Sequence, residues 1–153
     1  MRNILHEIFD ARSIKLNLDG KTKEMVLAEL VNVITDLHPD CNPAEMLEAI
    51  RKREEKMSTG IGNGFAIPHG FYRGIENMAG AIGVSKEGID FGALDKKPVF
   101  LIFLLVVNEH APENHMRALT QIYKLARSEA FPLIKNADNA RDIETILSQI
   151  HRI

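Results

Sequence analysis

The strongest hydrophobic signal in this chain is an unbroken apolar run from Val99 to Val107, rich in branched and aromatic side chains. Such a run predicts a strand that is buried on both faces, because a half-exposed strand alternates apolar and polar side chains. Shorter apolar segments predict further strands at 14–16, 65–67 and 79–84, with 89–91 as an extension.

Other segments repeat apolar residues every three or four positions, which is the spacing of one face of a helix. Each of them follows a polar residue of a type that caps helices well. The predicted helices run from Thr22 to about Leu37, from Asn42 into the charged run 51–56, from Asn114 over about His115 to Ser128, and from Asn139 onward, with a short helical turn at 131–135. This order predicts an α/β fold in which helices lie on both sides of a small central sheet.

Length and composition indicate one globular domain over residues 1–153, with 45% hydrophobic and 26% charged residues. The net charge of −2 shows no overall excess of basic residues, which a nucleic-acid-binding protein typically has, so we expect no nucleic-acid partner. We expect no membrane insertion, because no apolar run approaches the ~20 residues that a membrane helix needs. The N-terminal segment lacks a signal-peptide pattern and Cys41 is the only cysteine, so we expect a cytoplasmic location and no intrachain disulfide.

Candidate chemistry concentrates in residues 58–70, which read Ser-Thr-Gly-Ile-Gly-Asn-Gly-Phe-Ala-Ile-Pro-His-Gly. Three glycines at alternate positions let backbone N–H groups approach an anion closely, because no Cβ intervenes. Pro68 fixes the backbone immediately before His69. A neutral imidazole is a nitrogen nucleophile near pH 7, so the segment suits a histidine that carries a phosphoryl group beside an anion cradle.

The stretches Thr59–Gly64 and Ala66–Gly70 resemble the phosphorylation-site signature of the type-2 (fructose–mannitol class) enzyme IIA domains. These domains belong to the bacterial phosphoenolpyruvate-dependent phosphotransferase system. The chain looks closest to their stand-alone, nitrogen-regulatory members, and the resemblance spans nearly all of it. It implies a central, small, mixed parallel and antiparallel sheet flanked by helices, and the function of a phosphocarrier without a cofactor.

The resemblance also implies roles for individual residues. His69 matches the phosphoacceptor, which carries the phosphoryl group at Nε2 after receiving it from the phosphohistidine of an HPr-type carrier. His115 matches a second histidine that donates a hydrogen bond to the phosphoryl oxygens. Arg53 matches an arginine whose guanidinium fork binds the phosphoryl group. The candidate phosphoryl-binding loop comprises Thr59, Gly60, Gly62, Asn63 and Gly64.

Several alternatives stay open. Downstream, the chain passes phosphate to a IIB domain for sugar uptake, or it acts as a phosphorylation-dependent regulator of other proteins. The sequence Gly-Ile-Gly-Asn-Gly at residues 60–64 favours the regulator. A homologue that binds partners without phosphorylation is a further possibility. A nucleotide-binding loop is disfavoured, because the glycines precede a strand rather than follow one. His110 and His115 have no accompanying carboxylate or cysteine cluster in the sequence, so we expect no metal.

Overall fold

The computed structural model describes residues 2–110 and 112–150, and in this part of the chain helices cover both faces of one six-stranded sheet. The helices are α1 Leu5–Ile8, α2 Lys23–Leu37, α3 Pro43–Lys56, α4 Pro112–Ala126, α5 Ala130–Lys135 and α6 Ala140–Gln149. The strands are β1 Ile14–Lys15, β2 Gly60–Gly62, β3 Phe65–Ala66, β4 His69–Phe71, β5 Met78–Ile89 and β6 Val99–Val107. The predicted α/β class is confirmed.

Strand β6 organises the sheet, whose strand order is β1-β5-β6-β3-β2. It pairs antiparallel with β5 along one edge and parallel with β3 and then β4 along the other. Strand β1 is parallel to β5, and β2 is antiparallel to β3, so the sheet is mixed, as the resemblance implied.

Pro68 separates β3 from β4 along the same edge of β6. Proline has no N–H to give to a ladder, but its carbonyl still accepts a hydrogen bond from the Leu105 amide at 2.9 Å. His69 then pairs with Leu105 in register. The backbone of His69 is therefore fixed against the most buried strand of the sheet.

The double-sided burial predicted for β6 is confirmed, since every residue of this strand except Phe100 is buried. Ile102, Leu104 and Val106 pack in the apolar cluster that includes side chains of α2 and α3. Leu101, Phe103 and Leu105 pack in a second cluster with side chains of α4, α5 and α6. Each face of the strand thus loses its apolar surface to a separate helical layer, which stabilises the fold by roughly 25 cal/mol per Å² of apolar surface removed from water.

Three of the predicted helix caps are confirmed by hydrogen bonds from their side chains. The caps and the amides they accept from are Thr22 with Met25 at 3.2 Å, Asn42 with Glu45 at 3.1 Å, and Asn139 with Asp142 at 2.9 Å. Such a cap typically contributes about 1 kcal/mol, because it satisfies an amide that has no partner within the helix.

The predicted start of the third long helix is wrong. Helix α4 begins at Pro112 and ends at Ala126, so Asn114 and His115 lie within its first turn rather than at its boundary. Proline suits a first helical turn, where its fixed φ is helical and its missing N–H costs no hydrogen bond. Asn114 instead donates from Nδ2 to Asn77 Oδ1 at 3.4 Å.

Residues 60–66, predicted as a loop leading into one strand, form a β-hairpin of β2 and β3. Its two turn residues, Asn63 and Gly64, have φ of 59° and 80°. Positive φ at both central residues is what a type I′ turn requires, and Asn-Gly is the preferred sequence for it. Helix α1 and strand β4 were not predicted, because four and three residues are too short to show a period.

Candidate functional site

His69 opens β4 and is half-buried, with its ring fixed by a backbone carbonyl. Nδ1 lies 2.8 Å from the carbonyl oxygen of Ile67. A carbonyl oxygen only accepts hydrogen bonds, so in the neutral ring Nδ1 carries the proton and Nε2 carries the unshared electron pair. The nitrogen left for reaction is therefore Nε2.

Burial lowers the pKa of His69 below its ordinary value, since a charged ring is poorly solvated there. The hydrogen bond to Ile67 acts in the opposite direction, Arg53 adds to the lowering, and the carboxylate of Glu54 opposes it. The net shift is downward, so the neutral, nucleophilic form of His69 predominates at neutral pH.

His115 brings a second imidazole to the site from the first turn of α4. The ring centroids of His69 and His115 are 5.4 Å apart, with the planes inclined at 58°. Phe71 presents its ring at right angles to that of His115 at 5.5 Å. Burial, and secondarily the neighbouring His69, lower the pKa of His115.

His115 Nε2 is buried and has no hydrogen-bond partner within residues 2–110 and 112–150. Buried polar atoms are almost always paired, so an unpaired one needs an explanation. An oxygen atom of a group attached to the neighbouring His69 ring would supply the missing partner.

A pocket of about 450 Å³ lies beside His69. Arg53, Thr59, Gly60 and Ile67 line it together with side chains of α4. Arg53 donates from Nη1 to the Met57 carbonyl at 3.0 Å, which is the only hydrogen bond of its side chain in the described part of the chain. A guanidinium has five N–H donors, so Arg53 retains others for an anion.

Thr59 is buried beneath this pocket and is held by Glu54 of α3. The carboxylate accepts the Thr59 amide at 2.8 Å and the Thr59 hydroxyl at 2.6 Å. Gly60 follows, and a Cβ there would lie 2.8 Å from the Cβ of Ala93, so only glycine allows the segment 91–95 to cover the hairpin this closely. Thr59 and Gly60 thus form part of the pocket wall.

The rest of the candidate loop is placed differently. Gly62, Asn63 and Gly64 are not among the residues that line the His69 pocket. The amide of Asn63 donates to Oδ2 of Asp95 at 3.1 Å, and the carbonyl of Gly64 accepts from the amides of Phe100 and Leu101. The structure therefore brings together His69, His115, Arg53, Thr59 and Gly60. It places Gly62 at the end of β2, and Asn63 and Gly64 in the hairpin turn.

Sequence reasoning missed Glu54, although a signal was present. Glu54 follows Met46 and Ile50 at intervals of four, so it occupies the apolar face of α3 within a run that otherwise reads as a solvated charged end. An acidic residue at a core position of a helix indicates a buried partner.

Large apolar side chains that stay exposed gather around the two histidines. Met57, Leu94 and Tyr123 line the pocket and are each more than 45% exposed. Phe71 contacts His115, and Met116 follows it in α4; both are also exposed. We call these five exposed residues the apolar rim: three line the pocket, one contacts His115, and Met116 is the next residue after His115.

The described residues contain neither a candidate metal-binding cluster nor a helix that could span a membrane. No group of three or more His, Cys, Asp or Glu side chains in 2–110 and 112–150 lies close enough to hold a metal ion. Within the same ranges, no helix is both long and apolar enough to cross a membrane.

Comparison with known proteins gives the chain its relatives. The model of the family described as phosphoenolpyruvate-dependent sugar phosphotransferase system, EIIA 2, matches residues 7–150. The fructose-specific EIIABC component of the same system from Bacillus subtilis (strain 168) is 36% identical over 144 residues, which cover 94% of this chain and 23% of that protein. The chain thus spans about a quarter of the length of this relative. The nitrogen regulatory protein of Pseudomonas aeruginosa is 32% identical over 147 residues, 95% of this chain and 96% of that protein.

Solved structures agree with this relationship. The crystal structure of nitrogen regulatory protein IIA-Ntr from Neisseria meningitidis superposes with a TM-score of 0.87 at 29% identity, over 94% of this chain and 99% of that one. IIA mannitol from Escherichia coli, solved in complex with phosphorylated enzyme IIB mannitol, has a TM-score of 0.76 at 17% identity, over 92% and 96% of the two chains. IIA domains of this fold therefore include one that partners a IIB domain. The chain belongs to the EIIA 2 family of the phosphoenolpyruvate-dependent sugar phosphotransferase system, and its general role is in phosphoryl transfer.

Proposed function

We propose that the chain is a phosphocarrier that accepts a phosphoryl group on Nε2 of His69 and then releases it to a second protein. The observation that carries this proposal is the hydrogen bond from His69 Nδ1 to the Ile67 carbonyl. That bond selects the tautomer whose free electron pair is on Nε2, and the lowered pKa of His69 keeps it unprotonated at neutral pH.

The transfer step balances without a cofactor. The electron pair of Nε2 forms the new N–P bond, while the N–P bond to the histidine of an HPr-type donor breaks and its electrons return to the donor ring. His69 keeps its Nδ1 proton, so its ring gains positive charge, which the Ile67 carbonyl stabilises. The protein's contribution to such a step is positioning and charge stabilisation.

Arg53 and His115 are the residues that we assign to the phosphoryl oxygens. Arg53 lines the pocket with unused N–H donors, and a guanidinium pairs well with phosphate because two parallel N–H groups match two oxygens. His115 supplies the buried Nε2 that otherwise has no partner. Thr59 and Gly60 line the same pocket and belong to its wall.

Protein partners, rather than a small substrate, fit the rim around the pocket. The rim consists of Met57, Leu94, Tyr123, Phe71 and Met116, and aromatic and methionine side chains are enriched in protein interfaces. We propose an HPr-type carrier as the upstream partner and a IIB domain or a regulatory target as the downstream one. The predicted cytoplasmic location is part of this proposal, since the carriers and the chain must share a compartment.

Within this function, the nitrogen-regulatory branch is the one we favour. The chain matches nearly the full length of a nitrogen regulatory protein in sequence and of IIA-Ntr in structure. The sugar-specific branch is supported by the fructose-specific relative. Incubating the phosphorylated chain with a purified fructose-type IIB domain separates the two, because rapid phosphoryl transfer to IIB is expected only of the sugar-specific branch.

The decisive experiment is intact-mass analysis after incubation with enzyme I, HPr and phosphoenolpyruvate. We expect one acid-labile phosphoryl group on the wild type and on His6→Ala, which removes an exposed histidine of α1 as the matched control. We expect none on His69→Ala. If the folded wild type takes up no phosphoryl group, the alternative of an interaction protein that works without phosphorylation replaces this proposal.

A further inference from the structure

Glu54 is a carboxylate in the interior that the chemistry described so far does not use. Its side chain is only 5% exposed, and it lies on the apolar face of α3. A buried charge is costly unless it is paired and hydrogen-bonded, so each of its contacts bears on its purpose.

The contacts of Glu54 converge on the backbone that lines the His69 pocket. Both groups that Thr59 can donate, its amide and its hydroxyl, bond to the two carboxylate oxygens. Thr59 itself accepts the amide of Ile67 at 3.1 Å, and Ile67 provides the carbonyl that holds His69 Nδ1. Glu54 is therefore connected to the reacting ring through two residues.

Lys23 supplies the countercharge from a different helix. Its Nζ lies 2.5 Å from Glu54 Oε2 and also donates to the carbonyl of Phe91 at 3.1 Å. The same carbonyl accepts the hydroxyl of Ser58 at 2.8 Å. The ion pair thus anchors helix α2, the covering segment 91–95 and the start of the hairpin to one point.

We propose that Glu54 is a positioning residue for phosphoryl transfer at His69: it fixes Thr59, and through Thr59 and Ile67 it fixes the ring that accepts the phosphoryl group. This inference rests on the proposed phosphocarrier function. It also changes the role expected for Thr59, whose hydroxyl donates its single hydrogen bond to Glu54. Thr59 therefore shapes the pocket wall and does not donate to the phosphoryl group.

The charge of Glu54 acts on the same ring. Among the groups that face His69, Arg53 lowers its pKa while Glu54 raises it, and His115 lies beside it on α4. Lys124 lines the same pocket. Removing the negative charge of Glu54 takes away one of the two influences that raise the pKa of His69, the other being the hydrogen bond to Ile67, so this pKa should fall further.

The first test compares phosphoryl uptake rates of Glu54→Gln and Glu55→Gln by quenched-flow mass analysis with phosphorylated HPr. Glu55 is the next residue of α3 and is exposed, which makes it the matched control. We expect a loss of roughly 10-fold to 100-fold for Glu54→Gln, the scale of a small misplacement of reacting groups, and none for Glu55→Gln. A folded Glu54→Gln that is phosphorylated at the wild-type rate overturns the proposal.

Thr59 variants keep the test decisive if Glu54→Gln does not fold. Thr59→Val removes the hydroxyl bond to Glu54 and should slow uptake, while Thr59→Ser keeps the hydroxyl and should react at the wild-type rate. Combining Thr59→Val with Glu54→Gln should add little further loss, because both changes break one connection. A wild-type rate for Thr59→Val, or full additivity in the double variant, contradicts the proposal.

A readout that needs no phosphorylation separates this inference from the proposed function. NMR titration of the His69 ring protons should show a lower pKa in Glu54→Gln than in the wild type and Glu55→Gln. If HPr does not phosphorylate the wild type, the phosphocarrier proposal fails while this titration still decides the link from Glu54 to His69. An unchanged His69 pKa in Glu54→Gln refutes that link.

Discussion

The hairpin turn offers a quantitative test of where the candidate loop ends and the scaffold begins. Gly64→Ala places a side chain at φ of 80°, which costs roughly 1–2 kcal/mol in the left-handed region. The new Cβ would also lie 3.2 Å from Phe100 Cδ2 and 3.3 Å from Phe131 Cζ, and such crowding adds about 1–3 kcal/mol. The two costs together are about 2–5 kcal/mol, and at roughly 2–4 °C per kcal/mol for a chain of this size the melting temperature should fall by about 4–20 °C.

Gly92→Ala is the matched control, because Gly92 also has positive φ, 65°, but its added Cβ meets nothing within 4 Å. Calorimetry should therefore show only the conformational cost, a decrease of about 2–8 °C. The difference between the two variants measures the crowding at the phenylalanines. Equal melting temperatures would refute the packing of Gly64 against Phe100 and Phe131.

Asn63→Gly completes this test on the functional side. The exchange keeps the positive φ of the turn and removes only the amide side chain. We expect the melting temperature and the rate of phosphoryl uptake to stay near those of the wild type. A tenfold slower uptake at unchanged stability would show that the Asn63 side chain contacts the phosphoryl group.

Three further predictions concern the site itself. His115→Ala should keep the fold and slow phosphoryl uptake by roughly 10²-fold, the usual effect of losing one donor to a developing charge, and rapid uptake would contradict its role. Arg53→Lys should slow uptake although the charge is kept, because the planar fork is lost; Lys52→Arg on the exposed face of α3 is the control. The folded pKa values of His69 and His115 lie below the unfolded value of about 6.5, so the free energy of unfolding should be highest above that pH and decrease as the pH falls through the folded pKa. Urea denaturation at several pH values should show this decrease, and it should be smaller in His115→Gln.

The fold was largely predictable where burial and capping act over many residues. The uniform apolar run of β6 predicted a doubly covered strand, and Thr22, Asn42 and Asn139 cap their helices as expected. The polar type of Asn114 predicts a cap there and hence a late start for α4, whereas Pro112 already provides a first turn. The pairing of β6 with both β3 and β4 could not be predicted, since strand order depends on contacts between distant segments.

The residue types of the candidate site can be proposed from the sequence, but the hydrogen bonds that orient them cannot. The glycine pattern predicts a phosphate cradle, and the Asn63-Gly64 pair within it is also the preferred sequence of the hairpin turn that the structure shows. Glu54 was hidden in a charged run, and only its spacing from Met46 and Ile50 marked it as buried. A hydrogen-bond partner such as the Ile67 carbonyl cannot be read from a sequence, because it depends on how Pro68 turns the chain between two strands.

If the chain is the proposed phosphocarrier, these features would let one site both accept and release a phosphoryl group. The lowered pKa values of His69 and His115 favour the neutral form of both rings in the unphosphorylated state, so Nε2 of His69 stays free of a proton. Under the proposed function, phosphorylation of His69 would add about −1.5 to −2 charges beside His115 and would favour a protonated His115 ring that donates to the new oxygens. His115 would then stabilise the added charge, while the negative charge of Glu54 would oppose it. Such a balance would keep the phosphoryl group transferable.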